Sequence, residues 1–466
     1  MTSPRTEMAA AQGRMESYVS PYLFWSSLVA ALGGFLFGFD TAVISGTTDA
    51  LTKVYSLSSN ALGFTVASAL LGTIVGALFA GKPADRYGRR ASLFVIAIFY
   101  FISAVGTALA FDWYSFLFFR FLGGLGVGGA SVISPLYIAE IAPARYRGRL
   151  VAITQFNIVF GILMAFFSNY VIAALDIGDT TWRWMFGVEA FPAFAFYFLL
   201  FPTPRSPRWL MSKGLADEAR SVLRKLGRTQ SDADAEIADI RESLDLEHHA
   251  AHEPLFQAAY RGPILLAIAI AMFNQLSGIN ALMYYAPHIF SMAGAGASSA
   301  LLQTVAVGGT NLVFTMAALL IIDHFGRKRL MLVGSVGYIV SLSATAWAFY
   351  TYGTDFDRTG SVIVLVSLLV FIASHAFGQG AVIWVYIGEV FPNRVRARGQ
   401  ALGSFTHWVM AAAISWTFPM IAEYSGGHTF AFYAAMMVLQ LLWVIFIMPE
   451  TKGISLEALQ KKMGIK

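Results

Sequence analysis

Gly81-Lys82-Pro83-Ala84-Asp85-Arg86-Tyr87-Gly88-Arg89-Arg90 separates two apolar runs, and Asp323-His324-Phe325-Gly326-Arg327-Lys328-Arg329 separates two more, far along the chain. In both, a basic residue trails an acid by four positions, Asp85 to Arg89 and Asp323 to Arg327. A second loop type repeats in the same order: Glu140 is followed seven residues on by Arg147, and Glu389 seven residues on by Arg396. Each loop alone reads as a polar turn placed for topology. Two loop types repeating in register indicate an internal duplication.

What lies between the loops is apolar. Of 466 residues, 57% are hydrophobic and 13% charged, with mean hydropathy +0.62. A soluble domain carries roughly 25% charged residues, so the excess apolar surface must face lipid. A crossing helix needs about 20 mostly apolar residues. Such runs recur near 22–46, 61–81, 91–110, 115–139, 149–174 and 184–202, then near 262–291, 301–322, 330–350, 361–390, 399–422 and 428–448. The expected fold is an all-α membrane protein of twelve transmembrane helices in two pseudo-symmetric six-helix bundles, 22–203 and 261–448. A helical linker, 204–260, joins them, and tails cover 1–21 and 449–466. Arg5, Glu7, Arg14 and Glu16 occupy the first 20 residues without an apolar h-region, so no cleavable signal peptide is expected.

Lys and Arg collect on one side of the expected membrane: Lys82, Arg86, Arg89 and Arg90, then Arg145, Arg147 and Arg149, the linker, then Arg327 to Arg329 and Arg394, Arg396 and Arg398. On the opposite side acids outnumber bases. Positive loops stay in the cytoplasm, so both termini are expected inside a plasma membrane. The formal charge of +5 is therefore spent on topology, and nucleic acid is not an expected partner. Within the linker, LADEARSVLRKLG and DADAEIADIRESLDLEHH read as amphipathic helices bounded by Pro204, Pro207 and Pro254. It is too short for an enzyme core. With no Cys, disulfides, thiol catalysis, Cys-ligated zinc and iron–sulfur clusters are excluded. Gly124-Leu-Gly126-Val-Gly128-Gly129 satisfies a dinucleotide pattern, but inside an apolar span it reads as a small-residue face for close helix packing. No nucleotide, metal, cofactor or catalytic triad is expected.

A charge within hydrocarbon costs at least about 2.5–3.5 kcal/mol and is a functional candidate by default. Asp40, near the outer end of the first span, and Arg120, a few residues into the fourth, lie at matching depths. They read either as a permanent ion pair locking two helices or as a switchable proton site. Opposite charge favours an ionised carboxyl and burial a protonated one, so a change of partner would swing proton affinity between states. Neutral amides within spans suit an uncharged, hydroxyl-rich ligand, because they donate and accept without the desolvation cost of an ion. They are Gln155, Asn274, Gln275, Asn280 and Asn311; the alternative for any one of them is interhelical hydrogen bonding. Gln275 and Asn280 diverge by roughly 140° on an ideal helix, so Ser277-Gly278 between them would have to break it for both to face one cavity. Asn280 and Tyr284 share a face in any case.

GKPADRYGRR and DHFGRKR resemble the loop signature of the major facilitator superfamily. RFLGGLGVGGASVISPLYIAEIAPARYRGRL, NQLSGINALMYYAP, IGEVFPNRVRARG and PETKG resemble its sugar porter family, with a match from about residue 28 to 453. The resemblance implies an alternating-access carrier for monosaccharides at mid-depth between two halves. An acid at the position of Asp40 resembles the proton-coupled members. The family's binding pattern falls on Gln155, Gln275, Asn280, Tyr284, Asn311 and Trp384, with Phe37 and Trp408 as further aromatic faces. Asn274 stands where relatives often have Gln, Ile162 where some have Gln, and His407 where they often carry an amide. His407 is either a neutral core histidine or a sugar contact. Arg205 replaces the acid usual after the sixth span, and Gly378-Gln379-Gly380 lacks prolines many relatives have there. Asp85, Arg89, Glu140 and Arg147 in one half, with Asp323, Arg327, Glu389 and Arg396 in the other, are expected to form a cytoplasmic gate bridging helix ends when the carrier opens outward. The expected activity is import of a monosaccharide of the glucose, galactose or xylose kind by proton symport, with sugar, protons and the bilayer as partners. A uniporter of the same fold is the alternative, a non-transporting sensor the next.

Overall fold

The structure is a computed structural model describing residues 19–250, 253–392 and 394–453; the side chains of 245–250 and of Asp323 fall outside that description, as do most residues of the two expected tails. The described residues are helical throughout, without strands. In the first half, α1 (Pro21–Val43), the short α2 (Thr48–Tyr55) and α3 (Ser59–Phe79) lead to the loop helix α4 (Gly81–Tyr87), then α5 (Arg89–Ala108), α6 (Trp113–Ile141), α7 (Arg147–Ala174), α8 (Thr181–Gly187) and α9 (Ala190–Leu199). The linker supplies α10 (Pro207–Ser212), α11 (Ala216–Lys225) and α12 (Gln230–Ala250). The second half is α13 (Arg261–Leu276), α14 (Ile279–Met292), α15 (Ala297–Phe325), α16 (Arg327–Tyr352), α17 (Arg358–Phe377), α18 (Gln379–Val390), α19 (Arg396–Tyr424) and α20 (Gly426–Phe446).

Among the described residues, ten spans are long and apolar enough to cross a membrane. The pair α8–α9 and the long α19 complete the twelve. Helix starts follow local chemistry: Ser20 accepts from the Leu23 amide ahead of Pro21, and Asp112 with Ser115 forms a capping box for α6.

Three crossings are discontinuous. The sixth, expected to run unbroken over 184–202, interrupts at Val188-Glu189. Pro192 is the cause, since it cannot donate to the carbonyl four residues back and its ring crowds that turn. The seventh breaks between α13 and α14, where Gly278 takes φ +85°, a left-handed conformation that favours glycine. Ser277 Oγ donates to the Asn274 carbonyl at 2.6 Å and so occupies one freed acceptor. The tenth breaks at Gly378, where a Cβ would sit 3.0 Å from Gly334 Cα on α16.

The small-residue run 123–130 lies where α6 crosses α3. A Cβ on Gly124 would stand 1.9 Å from the Ala69 carbonyl oxygen, and one on Gly128 2.2 Å from that of Thr73. Backbone cannot step aside as a side chain can. Gly124→Val is therefore expected to lose most folded protein, beyond the ~1–3 kcal/mol usual for overpacking. Gly148→Ala, with nothing within 4 Å of its Cβ, should match the parent. Monodispersity and thermal unfolding in detergent compare the two.

The halves meet on the side opposite the basic loops. Trp416 Nε1 donates to Asn60 Oδ1 at 2.8 Å, Ser59 donates to Glu423, and His288 Nδ1 lies 3.4 Å from Asp49 Oδ1. On the basic side the linker is fastened to the first half: Trp209 Nε1 donates to the Asp85 carbonyl at 3.1 Å and Arg228 to that of Ile141 at 2.9 Å. Its far end reaches the second half through Arg394 and Glu253, 3.4 Å apart.

Candidate substrate and coupling site

Asp40 and Arg120 are each 1% exposed. Arg120 Nη1 donates to Asp40 Oδ1 at 2.7 Å and Nη2 to the Asp40 carbonyl at 3.2 Å. The guanidinium also lies 5.4 Å from the Phe186 ring centroid, a cation–π arrangement. Glycine packing makes this approach possible. A Cβ on Gly38 would meet the Ile158 carbonyl, one on Gly161 that of Phe35, and one on Gly123 would stand 3.2 Å from Asp40 Oδ1. So α1 rests tightly on α7, and α6 comes close enough for Arg120 to reach.

A third charged residue belongs to this set and escaped sequence reading. Glu189, at the break between α8 and α9, is 1% exposed and within electrostatic reach of both Asp40 and Arg120. Its Oε1 and the Nε of Arg120 have no hydrogen-bond partner among the described residues. The signal was available as a lone acid inside the apolar run 184–202. With both acids ionised, the set would hold one net negative charge away from water, an arrangement that one bound proton neutralises.

The amides gather around the break in the seventh crossing. Gln275 Nε2 donates to Asn274 Oδ1 at 2.9 Å and lies 3.3 Å from the His407 ring nitrogens, while Asn280 Nδ2 donates to Gln275 Oε1 at 2.9 Å. The expected helix break thus brings Gln275 and Asn280 together. Trp384, His407, Trp408 and Phe37 form a row across the two halves, with centroids 5.0, 4.9 and 5.8 Å apart in turn. Trp384 remains 40% exposed, leaving a face for a ligand. Tyr284, buried on α14, faces Thr41 and the Asp40–Arg120 pair, so one helix carries both the amide cluster and a contact to the charges. Gln155 on α7 and Asn311 on α15 stand apart from this network; Asn311 Oδ1 accepts from Thr315 at 3.3 Å. Ile162 packs in the core around α1 and α7.

At the basic ends, Arg89 pairs with Asp85 and Glu140, each at 2.9 Å, and Ser206 donates to Glu140. In the second half Arg327 pairs with Glu389 at 2.8 Å. The expected partner Asp323 lies outside the described side chains. Glu140 and Glu389 pair within their own halves with Arg89 and Arg327. Arg147 is exposed and forms no ion pair among the described residues, and Arg396 donates to the Phe391 carbonyl at 3.4 Å. Arg205 lies 3.5 Å from Glu218 of the linker. Next to this loop, Glu450 accepts from the backbone amides of Arg327 and Lys328 at 2.9 and 3.0 Å. Burial pushes its carboxyl up, but four backbone N–H donors outweigh that and hold it below the usual range.

A family model described as sugar (and other) transporter matches residues 26–463. The D-xylose-proton symporter of Escherichia coli K12 is 40% identical, with 95% of this chain and 96% of that protein covered. The arabinose-proton symporter of Bacillus subtilis is 35% identical, with 96% of each covered. Among solved structures, the E. coli xylose transporter XylE in a partially occluded inward open conformation superimposes with TM-score 0.83 at 39% identity, covering 94% of this chain and all of that one.

Proposed function

The chain belongs to the sugar transporter family of the major facilitator superfamily, and on that premise we propose that it imports an aldopentose or aldohexose together with a proton by alternating access. The observation that carries this reading is that one helix, α14, carries Tyr284 facing the buried Asp40–Arg120 pair and, one turn earlier, Asn280 bonded to Gln275. A change in the charges is passed to the helix that holds the sugar. Gln155, Asn274, Gln275, Asn280, Tyr284 and Asn311 bind hydroxyls, and Phe37, Trp384, His407 and Trp408 pack against the C–H faces of the ring.

Asp40 takes a proton from outside when Arg120 is disengaged and releases it when the pair reforms, as here. Glu189 is the second acid of the same set. The contacts between halves on the side away from the basic loops support an inward-facing state, with both termini in the cytoplasm and the chain in the plasma membrane. In the outward-facing state the charges at the basic ends act as a latch. Arg89–Glu140 is largely buried and Arg327–Glu389 partly so, so the bias between the two states comes from changing the partners of these charges rather than from leaving them unpaired.

Proteoliposomes containing the purified chain test the reading. An acid-outside gradient should drive labelled D-xylose or D-glucose above its external concentration, and a protonophore should collapse that accumulation while counterflow persists. Equilibration without accumulation would instead favour the uniporter, with Asp40–Arg120 as a permanent lock.

A further inference from the structure

A second buried polar network lies in the other half, away from the charged set. Tyr338 on α16 is fully buried, and its Oη donates to Gln379 Oε1 at 3.0 Å while contacting His375 Nδ1 at 2.6 Å. Gln379 Nε2 donates to Gln440 Oε1 on α20. Gln440 Nε2 donates to Ser335 Oγ at 2.8 Å, and Ser335 donates to the Met331 carbonyl at 2.7 Å. A phenol has one proton, so while Tyr338 donates to Gln379, His375 must present an N–H at Nδ1. The run is then satisfied from end to end. Gln379, Gln440, Ser335 and Tyr338 are all essentially inaccessible, and a buried amide without its partners would be costly.

The location gives the network its meaning. Gln379 is the first residue of α18, directly after the break at Gly378. A helix that starts at a break lacks the backbone hydrogen bonds a continuous one would inherit, so side chains must fix its direction. Glycine packing against α16 sets how close the break sits: Gly378 approaches Gly334, and a Cβ on Gly337 would meet Ser374 Oγ. It does not set the pose of the segment beyond. At its other end α18 is tied by Glu389 to Arg327. Between the two anchors stands Trp384, five residues after Gln379, or roughly 7.5 Å along the axis.

We propose that Gln379, held between Tyr338 and Gln440, is a positioning residue that fixes the start of α18 and so aims the Trp384 ring at the sugar. The proposal rests on the sugar-binding reading above. It assigns to buried amides, where many relatives are expected to have prolines, the task of stiffening the broken tenth crossing.

The test uses the full-length purified chain and D-xylose, with equilibrium binding followed by calorimetry and exchange followed in proteoliposomes. Gln379→Met and Gln440→Met keep side-chain length and remove the hydrogen bonds. Each should raise the dissociation constant roughly tenfold, the scale of one or two lost polar contacts, with the maximal exchange rate at saturating sugar preserved. The double variant should lose no more than either single one. Tyr338→Phe, which keeps the ring packed 5.2 Å from Phe371, is the gentler probe if the Met variants fold poorly, and should shift affinity the same way. Parent-like affinity in any of these variants when folded, losses that simply add, or a maximal rate that falls in step with affinity would overturn the proposal. Absence of D-xylose binding by the parent itself would instead count against the sugar reading.

Discussion

Replacing Asp40 with Asn is expected to abolish uphill sugar accumulation while exchange across proteoliposomes continues. The amide keeps an oxygen for the Arg120 guanidinium, 2.7 Å from the present carboxylate, so packing of α1 against α6 is retained. It cannot take up a proton, so the step that links an external acid to the return of the empty carrier is lost. Removing one partner of a buried ion pair outright costs about 3–5 kcal/mol; the isosteric amide softens this, which makes it the cleaner probe. Accumulation ratios under an acid-outside gradient should fall to unity. Counterflow, which needs no net proton movement, should survive. Accumulation that persists at parental levels would show that the driving proton binds elsewhere, with Glu189 the first alternative to examine.

The second large effect is expected at Gln275. Its side chain meets Asn274, Asn280 and His407 at once. Gln275→Ala leaves those groups without their shared partner and removes a donor and an acceptor from the sugar site. An unpaired buried polar group costs about 1–3 kcal/mol, and each 1.4 kcal/mol is about tenfold in affinity. The half-saturation constant for counterflow should therefore rise by about ten- to a hundredfold, with the chain still inserted and monodisperse. An unchanged constant would remove Gln275 from the binding site and leave it a structural role.

Much of the architecture was legible because lipid imposes simple rules. Apolar runs of crossing length, basic loops on one side and two repeated loop types define the twelve helices and their duplication. The Asp40–Arg120 ion pair was legible for the same reason, since both are charges where charge is expensive. Glu189 carries the same signal, a lone acid in an apolar run, and went unread; the break that seats it follows from the helix-breaking effect of Pro192. The amide cluster was half legible. Spacing alone separates Gln275 from Asn280, and the positive φ at Gly278 brings them together. The partners of Glu140 were harder still. The sequence set both Arg89 and Arg147 beside Glu140, and in this conformation Arg89 makes the pair; a pattern in one dimension cannot say which of two arginines a carboxylate meets in a given state. Gln379 and Gln440 are amides within apolar runs, but nothing in the sequence joins them to Tyr338 and His375, because the members come from α16, α17, α18 and α20 and meet only in the folded bundle.

On the proposed reading the two tasks of the molecule fall largely on either side of the linker, with Gln155 and Phe37 lending the sugar site two contacts from the earlier bundle. The buried charges belong to α1, α6 and the gap between α8 and α9, all before the linker, whereas the hydrogen-bonded amides and Trp384 come from helices after it. Tyr284 faces the charges from the later bundle, and the Phe37–Trp408 contact joins the two a second time. On that reading selection can retune much of the cargo by redrawing the later bundle while the engine in the earlier one runs unchanged, and a chimera joined within the linker would take its fuel from one parent and most of its diet from the other.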